Sequence, residues 1–160
     1  GILPLLTTSF MKFLRAEAAL MLGTNDKPEI LLEEAIQASM DKVLGFGNVD
    51  SPYEATSEEV EAYIDEVFFN YNNVATDEQK LDIIITEYYL AAFGNSTEAY
   101  NAYRRTGYPS NIQVPIDNDN PAFPRSFPYS SNAVEINSSL TQKRNTERVF
   151  WDTNPEGFIK

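Results

Sequence analysis

The 160-residue sequence contains neither cysteine nor histidine. Without cysteine, the chain has no disulfide framework, thiolate nucleophile or thiolate metal site. Without histidine, it lacks the usual general base near neutral pH, the Ser-His-Asp arrangement and the commonest metal ligand. These two absences exclude most familiar catalytic designs. We expect no cofactor and no resident metal.

Long apolar runs are also missing. No segment has the length of a membrane-spanning helix, and residues 1–6 have neither the basic start nor the length of a signal peptide. Basic residues are scarce: the chain has 12 Lys and Arg residues and 24 Asp and Glu residues, which gives a formal net charge of −12. A surface this acidic repels nucleic-acid phosphates and anionic lipid headgroups, so we expect neither as a partner.

The acidic charge is concentrated in the first part of the chain. Residues 1–105 hold 18 acidic and 7 basic side chains, whereas residues 106–160 hold 6 acidic and 5 basic side chains. In the first part, apolar residues recur at helical spacing between capping residues and glycines, which predicts five helices. The predicted boundaries are Gly23, Gly45 with Gly47, Thr56, Thr76, Gly94 and a start near Asn95. Capping boxes are predicted at Asp26 with Glu29, Thr56 with Glu59 and Thr76 with Gln79.

Each predicted helix is apolar on one face only, so it must bury that face against a neighbour. Short links make consecutive helices antiparallel, and the first pair has the length of a tetratricopeptide unit. After Arg105, prolines forbid long helices, while the aromatic content is too high for a solvated tail. We therefore predict an all-α domain with a tetratricopeptide-like helical body at 1–105 and an irregular strap, 106–160, packed on it.

Four oxygen-bearing residues, Asp117 to Asn120, begin with the spacing of a calcium loop. The continuation fails, because Pro121 occupies the next ligand position and no glycine or closing glutamate follows. A calcium-independent surface turn is the expected structure. Acidic pairs such as Glu33-Glu34 could serve as glycosidase carboxylates, but they lie on or beside capped helix faces, where solvation explains them.

Aromatic side chains are the usual means of gripping sugars, and tyrosines are dense between Tyr88 and Tyr108. Their helical periodicity favours core or helix-interface positions instead. Trp151 is likewise predicted to be a packing anchor rather than a ligand platform. The pair Arg104 and Arg105 ends the fifth predicted helix just before Gly107, where cations favour the last carbonyls and glycine can adopt a left-handed conformation. We expect a structural role for these residues.

A run that includes Phe93-Gly94-Asn95 and continues from Glu98 to Pro109 with Glu-Ala-Tyr-Asn-Ala-Tyr-Arg-Arg-Thr-Gly-Tyr-Pro carries a family resemblance. It resembles a motif of the SusD/RagB-like nutrient-binding outer-membrane lipoproteins, and stretches 13–20, 35–40, 125–129 and 149–152 resemble this family's C-terminal part in the same order. Two details depart from the family pattern. Ser126 stands where a second basic residue is frequent, and the residues before Phe93 lack a frequent Gln-Lys.

The resemblance implies a cell-surface lipoprotein of the outer membrane that captures a nutrient, with an oligosaccharide expected, and does not catalyse a reaction. It implies a SusC-like TonB-dependent transporter as partner, and a longer parent protein whose lipid anchor lies outside this chain. Two alternatives stay open. A helical-repeat scaffold for protein interactions would need no transporter gene beside its own, and a glycoside hydrolase would lose activity when a carboxylate is removed.

Glu17 falls inside the otherwise apolar sector of the first predicted helix, beside Phe13 and Ala18. Burial of a carboxylate without a cation is unfavourable, and arginine can hold a carboxylate through two charge-assisted hydrogen bonds. We therefore predict that one arginine of the pair Arg104 and Arg105 is buried and pairs with Glu17, which would tie the strap to the first helix.

A double-mutant cycle tests this pairing by combining Glu17→Gln with Arg104→Met and, separately, with Arg105→Met, followed by chemical denaturation. Removing one partner of a buried pair should lower the free energy of unfolding by about 3–5 kcal/mol, whereas an exposed pair contributes less than about 1 kcal/mol. Purely additive losses would mean that Glu17 is solvated and that the arginines serve another role, such as the transporter interface.

Overall fold

The computed structural model describes residues 4–46, 53–113, 116 and 123–159. These residues contain six helices and no strand, and 57% of them are helical. The helices are α1 (Thr8–Leu22), α2 (Pro28–Leu44), α3 (Ser57–Asn73), α4 (Asp77–Ala91), α5 (Ser96–Thr106) and α6 (Ser131–Ile136). The predicted all-α class is confirmed.

The chain divides into two compact units. The first comprises Gly1–Tyr103 with Tyr108–Ser110, and the second comprises Arg104–Gly107 with Asn111–Lys160. The first unit therefore holds α1 to α4 and most of α5, whereas α6 is the one helix that lies wholly among the described residues of the second unit. The predicted boundary at Arg105 and the packing of the strap on the helical body stay predictions.

Two of the three predicted capping boxes are present. At the start of α3, the Thr56 hydroxyl accepts a hydrogen bond from the Glu59 backbone N–H, and the Glu59 carboxylate accepts one from the Thr56 N–H at 2.8 Å. Thr76 and Gln79 repeat this reciprocal arrangement at the start of α4. Each box satisfies two backbone donors that the first helical turn leaves without a partner.

The prediction of a third capping box, formed by Asp26 with Glu29, is wrong. Pro28 occupies the first position of α2, so the helix begins one residue later than the box requires, with Lys27 as an N-cap that makes no side-chain hydrogen bond. Proline suits this position because its fixed φ is helical and its missing N–H is not needed there. Asp26 instead accepts hydrogen bonds from Nε and Nη2 of Arg15 on α1, at 3.0 and 2.7 Å.

Helix α1 is central to the first unit, because it packs against both α2 and α4. Phe10 and Phe13 are fully buried on it, and both rings contact Tyr88 of α4, with centroids 5.4 and 5.6 Å apart. The predicted apolar stripes supply most of the remaining core: Leu32, Ala35, Ile36, Val60, Ile64, Val67, Tyr71, Leu81, Ile84, Ile85 and Ala92. The helical spacing also predicts Met21, Leu22, Val43 and Tyr89 on these apolar faces, but all four are exposed.

Side chains outside the stripes hold the two ends of the first unit. The Asn95 side chain donates to the Pro4 carbonyl at 2.8 Å and accepts from the Glu98 N–H at the start of α5. Beyond α5, the Ser110 backbone N–H donates to the Asp82 carboxylate on α4 at 3.0 Å, and the Ser110 hydroxyl donates to its second oxygen. These polar contacts fix where the chain enters and leaves the helical unit.

A buried carboxyl lies between α3 and α4. Glu87 is 9% exposed, and the Tyr63 hydroxyl is 2.9 and 3.1 Å from its two oxygens. Burial raises the pKa of Glu87 above the ordinary carboxyl value, although the hydrogen bond from Tyr63 acts in the opposite direction. Burial, and then the charge of Glu87, raise the pKa of Tyr63. The hydroxyl therefore stays protonated and available as a donor.

Replacing Tyr63 with Phe should lower the free energy of unfolding near neutral pH by about 2 kcal/mol, because the buried Glu87 carboxylate loses a donor. A carboxyl whose pKa is raised by folding binds more protons in the folded state, so its protonation favours folding as pH falls. The loss caused by Tyr63→Phe should therefore shrink as pH falls through the raised pKa of Glu87. Urea denaturation at a series of pH values measures this loss.

Tyr71→Phe is the matched control on the same helix, since the buried Tyr71 hydroxyl has no hydrogen-bond partner among the described residues. This control should be neutral or should stabilise the protein by about 1 kcal/mol, because it removes an unsatisfied polar group. A loss from Tyr63→Phe that does not change with pH would contradict the assigned contact with an ionised Glu87.

Candidate functional site

A buried arginine organises the second unit. Arg125 is 4% exposed, and its Nε and Nη2 donate to Oδ2 of Asp152 at 3.0 and 2.7 Å. Its guanidinium also donates to the backbone carbonyls of Asn154, at 3.0 Å, and Pro155, at 2.7 Å. One side chain thus fixes a carboxylate and two consecutive carbonyls, which the planar fork of arginine allows and the single ammonium of lysine does not.

The Asp152 carboxylate is also in contact with Asn154 and Arg104. Its Oδ1 accepts from the Asn154 backbone N–H at 3.1 Å, and Nη2 of Arg104 lies 3.7 Å from Oδ2. Burial alone would raise the pKa of Asp152, but the hydrogen bonds from Arg125 and Asn154, with the charges of Arg125 and Arg104, outweigh it and lower the pKa. Asp152 therefore stays an anion at the centre of this network.

Asn154 connects this network to the end of α5. Its side-chain amide donates to the carbonyls of Arg104 at 2.9 Å and Arg105 at 3.3 Å, which satisfies acceptors left at the helix terminus. Gly107 follows with a φ of 77°, the left-handed conformation expected from the sequence. A Cβ atom at this position would also lie 3.3 Å from the ring of Phe158, so the site favours glycine.

The two residues before Asp152 lie in a tight turn. The Asp152 backbone N–H donates to the Val149 carbonyl at 3.0 Å, so Phe150 and Trp151 are its central residues. Both side chains face solvent: Phe150 is 95% exposed and Trp151 is 62% exposed. Their ring centroids are 4.6 Å apart and their planes meet at 89°. The turn thus presents a perpendicular pair of aromatic rings, which we call the aromatic corner.

Trp151 differs from its expected role. A packing anchor would be buried, whereas hydrogen bonding between positions 149 and 152 places this indole at the tip of a turn, in contact with Phe150. Arg104 is the mostly buried arginine of its pair and Arg105 the exposed one. Glu17 is half-buried on α1. The pairing of Glu17 with an arginine stays a prediction, as do the structural roles assigned to Arg105 and Gly107.

Arg125 and Asp152 were not singled out as site residues by the sequence, although both fall in stretches that resemble the family. A single arginine in a proline-rich segment gives no periodic signal, and its carboxylate partner lies 27 residues away. The Asp117–Asn120 turn lies outside the described residues. Among the residues that are described, no group of three or more acidic side chains is placed to hold a metal ion.

The first unit carries a groove of about 380 Å³ between α2 and α3. It is lined by Leu44, Val60 and Ile64 and by a polar rim of Glu33, Gln37, Asp41, Ser57, Glu61 and Asp65. Four carboxyl groups on this rim make the groove unfavourable for an anionic ligand. Within the described parts of the chain, no helix combines the length and apolar character that crossing a bilayer requires.

Comparison with known proteins gives one family. The sequence matches, over residues 2–147, the family model described as SusD-like, Susd and RagB outer membrane lipoprotein. No curated protein matches the chain.

Two of the solved structures that share the fold are SusD-like proteins. One, described as Bacteroidetes AC2a SusD-like, is 26% identical with a TM-score of 0.69, and the match covers 93% of this chain and 30% of that protein. The other is a SusD homolog from Bacteroides fragilis NCTC 9343, which is 23% identical with a TM-score of 0.62, and that match covers 82% of this chain and 29% of that protein. The chain thus spans less than a third of the length of these relatives.

Replacing Arg125 with Met should lower the free energy of unfolding by about 3–5 kcal/mol near neutral pH, because it leaves Asp152 buried without its main cation. Trp151 is the single tryptophan of the chain, so its fluorescence during denaturation reports on the second unit. The stabilisation by the Arg125–Asp152 pair is fully present when the pH is above the ordinary carboxyl pKa. It is lost as pH falls through the lowered pKa of Asp152. The difference between variant and parent should therefore disappear in strong acid.

Arg148→Met is the matched control, since exposed Arg148 donates to the same Asn154 carbonyl that Arg125 contacts. This substitution should lower the free energy of unfolding by less than about 1 kcal/mol. Equal effects of the two substitutions would show that the second unit does not depend on the buried ion pair.

Proposed function

Because this chain belongs to the SusD and RagB family of outer-membrane lipoproteins, we propose that it is part of a protein that captures nutrients at the bacterial outer membrane. The observation that carries the proposal is the family match, which runs through nearly the whole chain at residues 2–147. The likeness of the fold to two SusD-like structures supports it further. Activity, ligands and partners of the longer protein are proposed on this basis.

A neutral oligosaccharide is the nutrient that this chain would best accommodate. The net charge of −12 and the acidic rim of the α2–α3 groove disfavour anionic ligands. Sugars need aromatic surface for their C–H faces together with polar groups for their hydroxyls, and the second unit presents exposed aromatic residues in a polar segment. These features support a glycan over a nucleotide or a fatty acid.

We infer that the protein binds and delivers its ligand without transforming it. The chain has no histidine or cysteine for general-base or nucleophilic catalysis. Glu87 has the raised pKa that a glycosidase acid requires, but it is enclosed between α3 and α4 and bound to Tyr63, where a polysaccharide does not reach. The geometry of this carboxyl therefore supports a structural role.

The proposed partner is a SusC-like TonB-dependent transporter in the same membrane, to which the lipoprotein would deliver its ligand on the outer face of the cell. Family membership is the support for this partner and for a lipid anchor elsewhere in the longer protein. A transporter gene beside the gene for this protein, and co-purification of the two products from membranes, would be the expected observations.

Binding measurements with the longer protein and with the 160-residue chain test the ligand class. We expect the longer protein to bind a neutral oligosaccharide on a glycan array and in calorimetry, and the isolated chain to bind it at least about tenfold more weakly. The reason is that less than a third of the length of the SusD-like relatives is present in this chain.

Three results would count against the proposal. Absence of any glycan bound by the longer protein would remove the ligand class. Release of sugar from a polymer, abolished by replacing a carboxylate, would favour a hydrolase. Equal affinity of chain and longer protein would place the whole ligand site within these 160 residues.

A further inference from the structure

We propose that α3 is a pH-responsive helix, which packs firmly against α4 when the buried carboxyl of Glu87 is protonated and opens more readily when that carboxyl is ionised. The proposal concerns the helical unit alone and does not depend on the nutrient-binding function. Three observations carry it: the position of α3 in the unit, the partners of Glu87, and the acidic side chains that face α3 across the groove.

Helix α3 lies at the edge of the first unit. It packs against α2 and α4, whereas the central helix α1 packs against those two and not against α3. The inner face of α3 also holds the buried Tyr71 hydroxyl, which has no hydrogen-bond partner among the described residues. A buried polar group without a partner weakens the packing around it. Helix α3 can therefore open without disturbing the contacts of Phe10 and Phe13 with Tyr88.

The contact between α3 and α4 includes an ionisable group. Glu87 is buried on α4, and within the described part of the chain the Tyr63 hydroxyl on α3 is the one donor that its carboxyl contacts. A carboxylate can accept about four hydrogen bonds, so a single neutral donor leaves the charged form poorly compensated. The protonated form costs less to bury. Ionisation of Glu87 therefore weakens the contact that holds α3 on α4.

The charged groups around this contact do not offset the charge of Glu87. Burial raises the pKa of Glu87 and the hydrogen bond from Tyr63 lowers it, and no charge on α1 or α2 among the described residues adds to the shift. On α3, the charge of Glu66 raises the pKa of Tyr63 in the same direction as Glu87 does. Lys12 and Arg15 of α1 pair with other acidic residues. The carboxyl therefore responds to pH without a cation to hold it ionised.

Another face of α3 meets acidic residues of α2. Glu61 and Asp65 on α3 share the rim of the groove with Glu33 and Asp41 on α2, and the described residues that line the groove include no lysine or arginine. Carboxylates on both walls repel one another. Helix α3 is thus repelled on the α2 side and held on the α4 side by a contact that ionisation weakens. Because α3 forms one wall of the groove, its opening also changes the shape of the groove.

The direction of the response follows from linkage. Folding raises the pKa of Glu87, so the stabilisation of the α3–α4 contact is fully present below the ordinary carboxyl pKa. It decreases as pH rises above that value and is lost once pH has passed the raised pKa of Glu87. We therefore expect α3 to be best protected in mild acid and to open more often at higher pH.

Hydrogen exchange of the 160-residue chain, measured by mass spectrometry between about pH 4 and pH 8, tests the proposal. Protection factors, which remove the intrinsic pH dependence of exchange, should fall several-fold in α3 over this range and change less in α1 and α2. In Glu87→Gln, which keeps the shape of the neutral side chain, α3 should keep its protection throughout. In Tyr63→Phe the fall should be larger and extend to higher pH, because the carboxyl has lost its donor.

The matched control combines Glu61→Gln with Asp65→Asn, which removes charge from the groove side of α3 and leaves Glu87 in place. The fall in α3 protection should persist in this control with a smaller amplitude. Circular dichroism at each pH establishes that the variants remain helical. A parent α3 that does not respond to pH, or an equal response in Glu87→Gln, would overturn the proposal. Equal loss of protection in all helices would also overturn it, because the chain would then unfold as a whole.

Discussion

The first unit depends on one constraint: each of its helices is apolar on a single face, and that face must leave water. Helix α1 packs against both α2 and α4, so the apolar faces of these helices are buried against one another. Phe10 and Phe13 of α1 contact Tyr88 of α4. Burying an aromatic side chain contributes about 1.5–3 kcal/mol, and an aromatic pair adds about 0.5–1.5 kcal/mol. Each capping box or surface ion pair contributes less stabilising free energy than the burial of an aromatic side chain. These local contacts therefore set where each helix begins and ends, whereas burial holds the helices together.

The second unit is held differently, because its described part contains only a six-residue helix of its own and the last residues of α5. Where helices are short, backbone groups need other partners, and Arg125 supplies donors to two carbonyls while it neutralises Asp152. Two carboxyls among the described residues, Glu87 and Asp152, illustrate the contrast. Glu87 has a neutral hydroxyl as its contact and a raised pKa, whereas Asp152 has arginine and a lowered pKa. The partner, rather than the burial, decides the sign of the shift.

The two units also differ in the surfaces that they present. The helical unit buries Phe10, Phe13 and Tyr88 in its core, and its groove between α2 and α3 has an acidic rim. The irregular unit has a buried ionic base that carries exposed aromatic rings on a tight turn. The Arg125–Asp152 pair lies at the base of this turn.

The sequence by itself determined the features that depend on neighbouring residues: the helices and their buried faces, the Thr56 and Thr76 capping boxes and the left-handed Gly107. The contiguous motif around Arg104 and Arg105 also indicated the family. Tertiary structure decided the rest. Asp26 was expected to cap a helix and binds Arg15 instead, and the partners of Glu87 and Asp152 lie 24 and 27 residues away. Periodicity and capping report on contacts within a helical turn, whereas a carboxylate takes whichever donor the folded chain brings within about 3 Å.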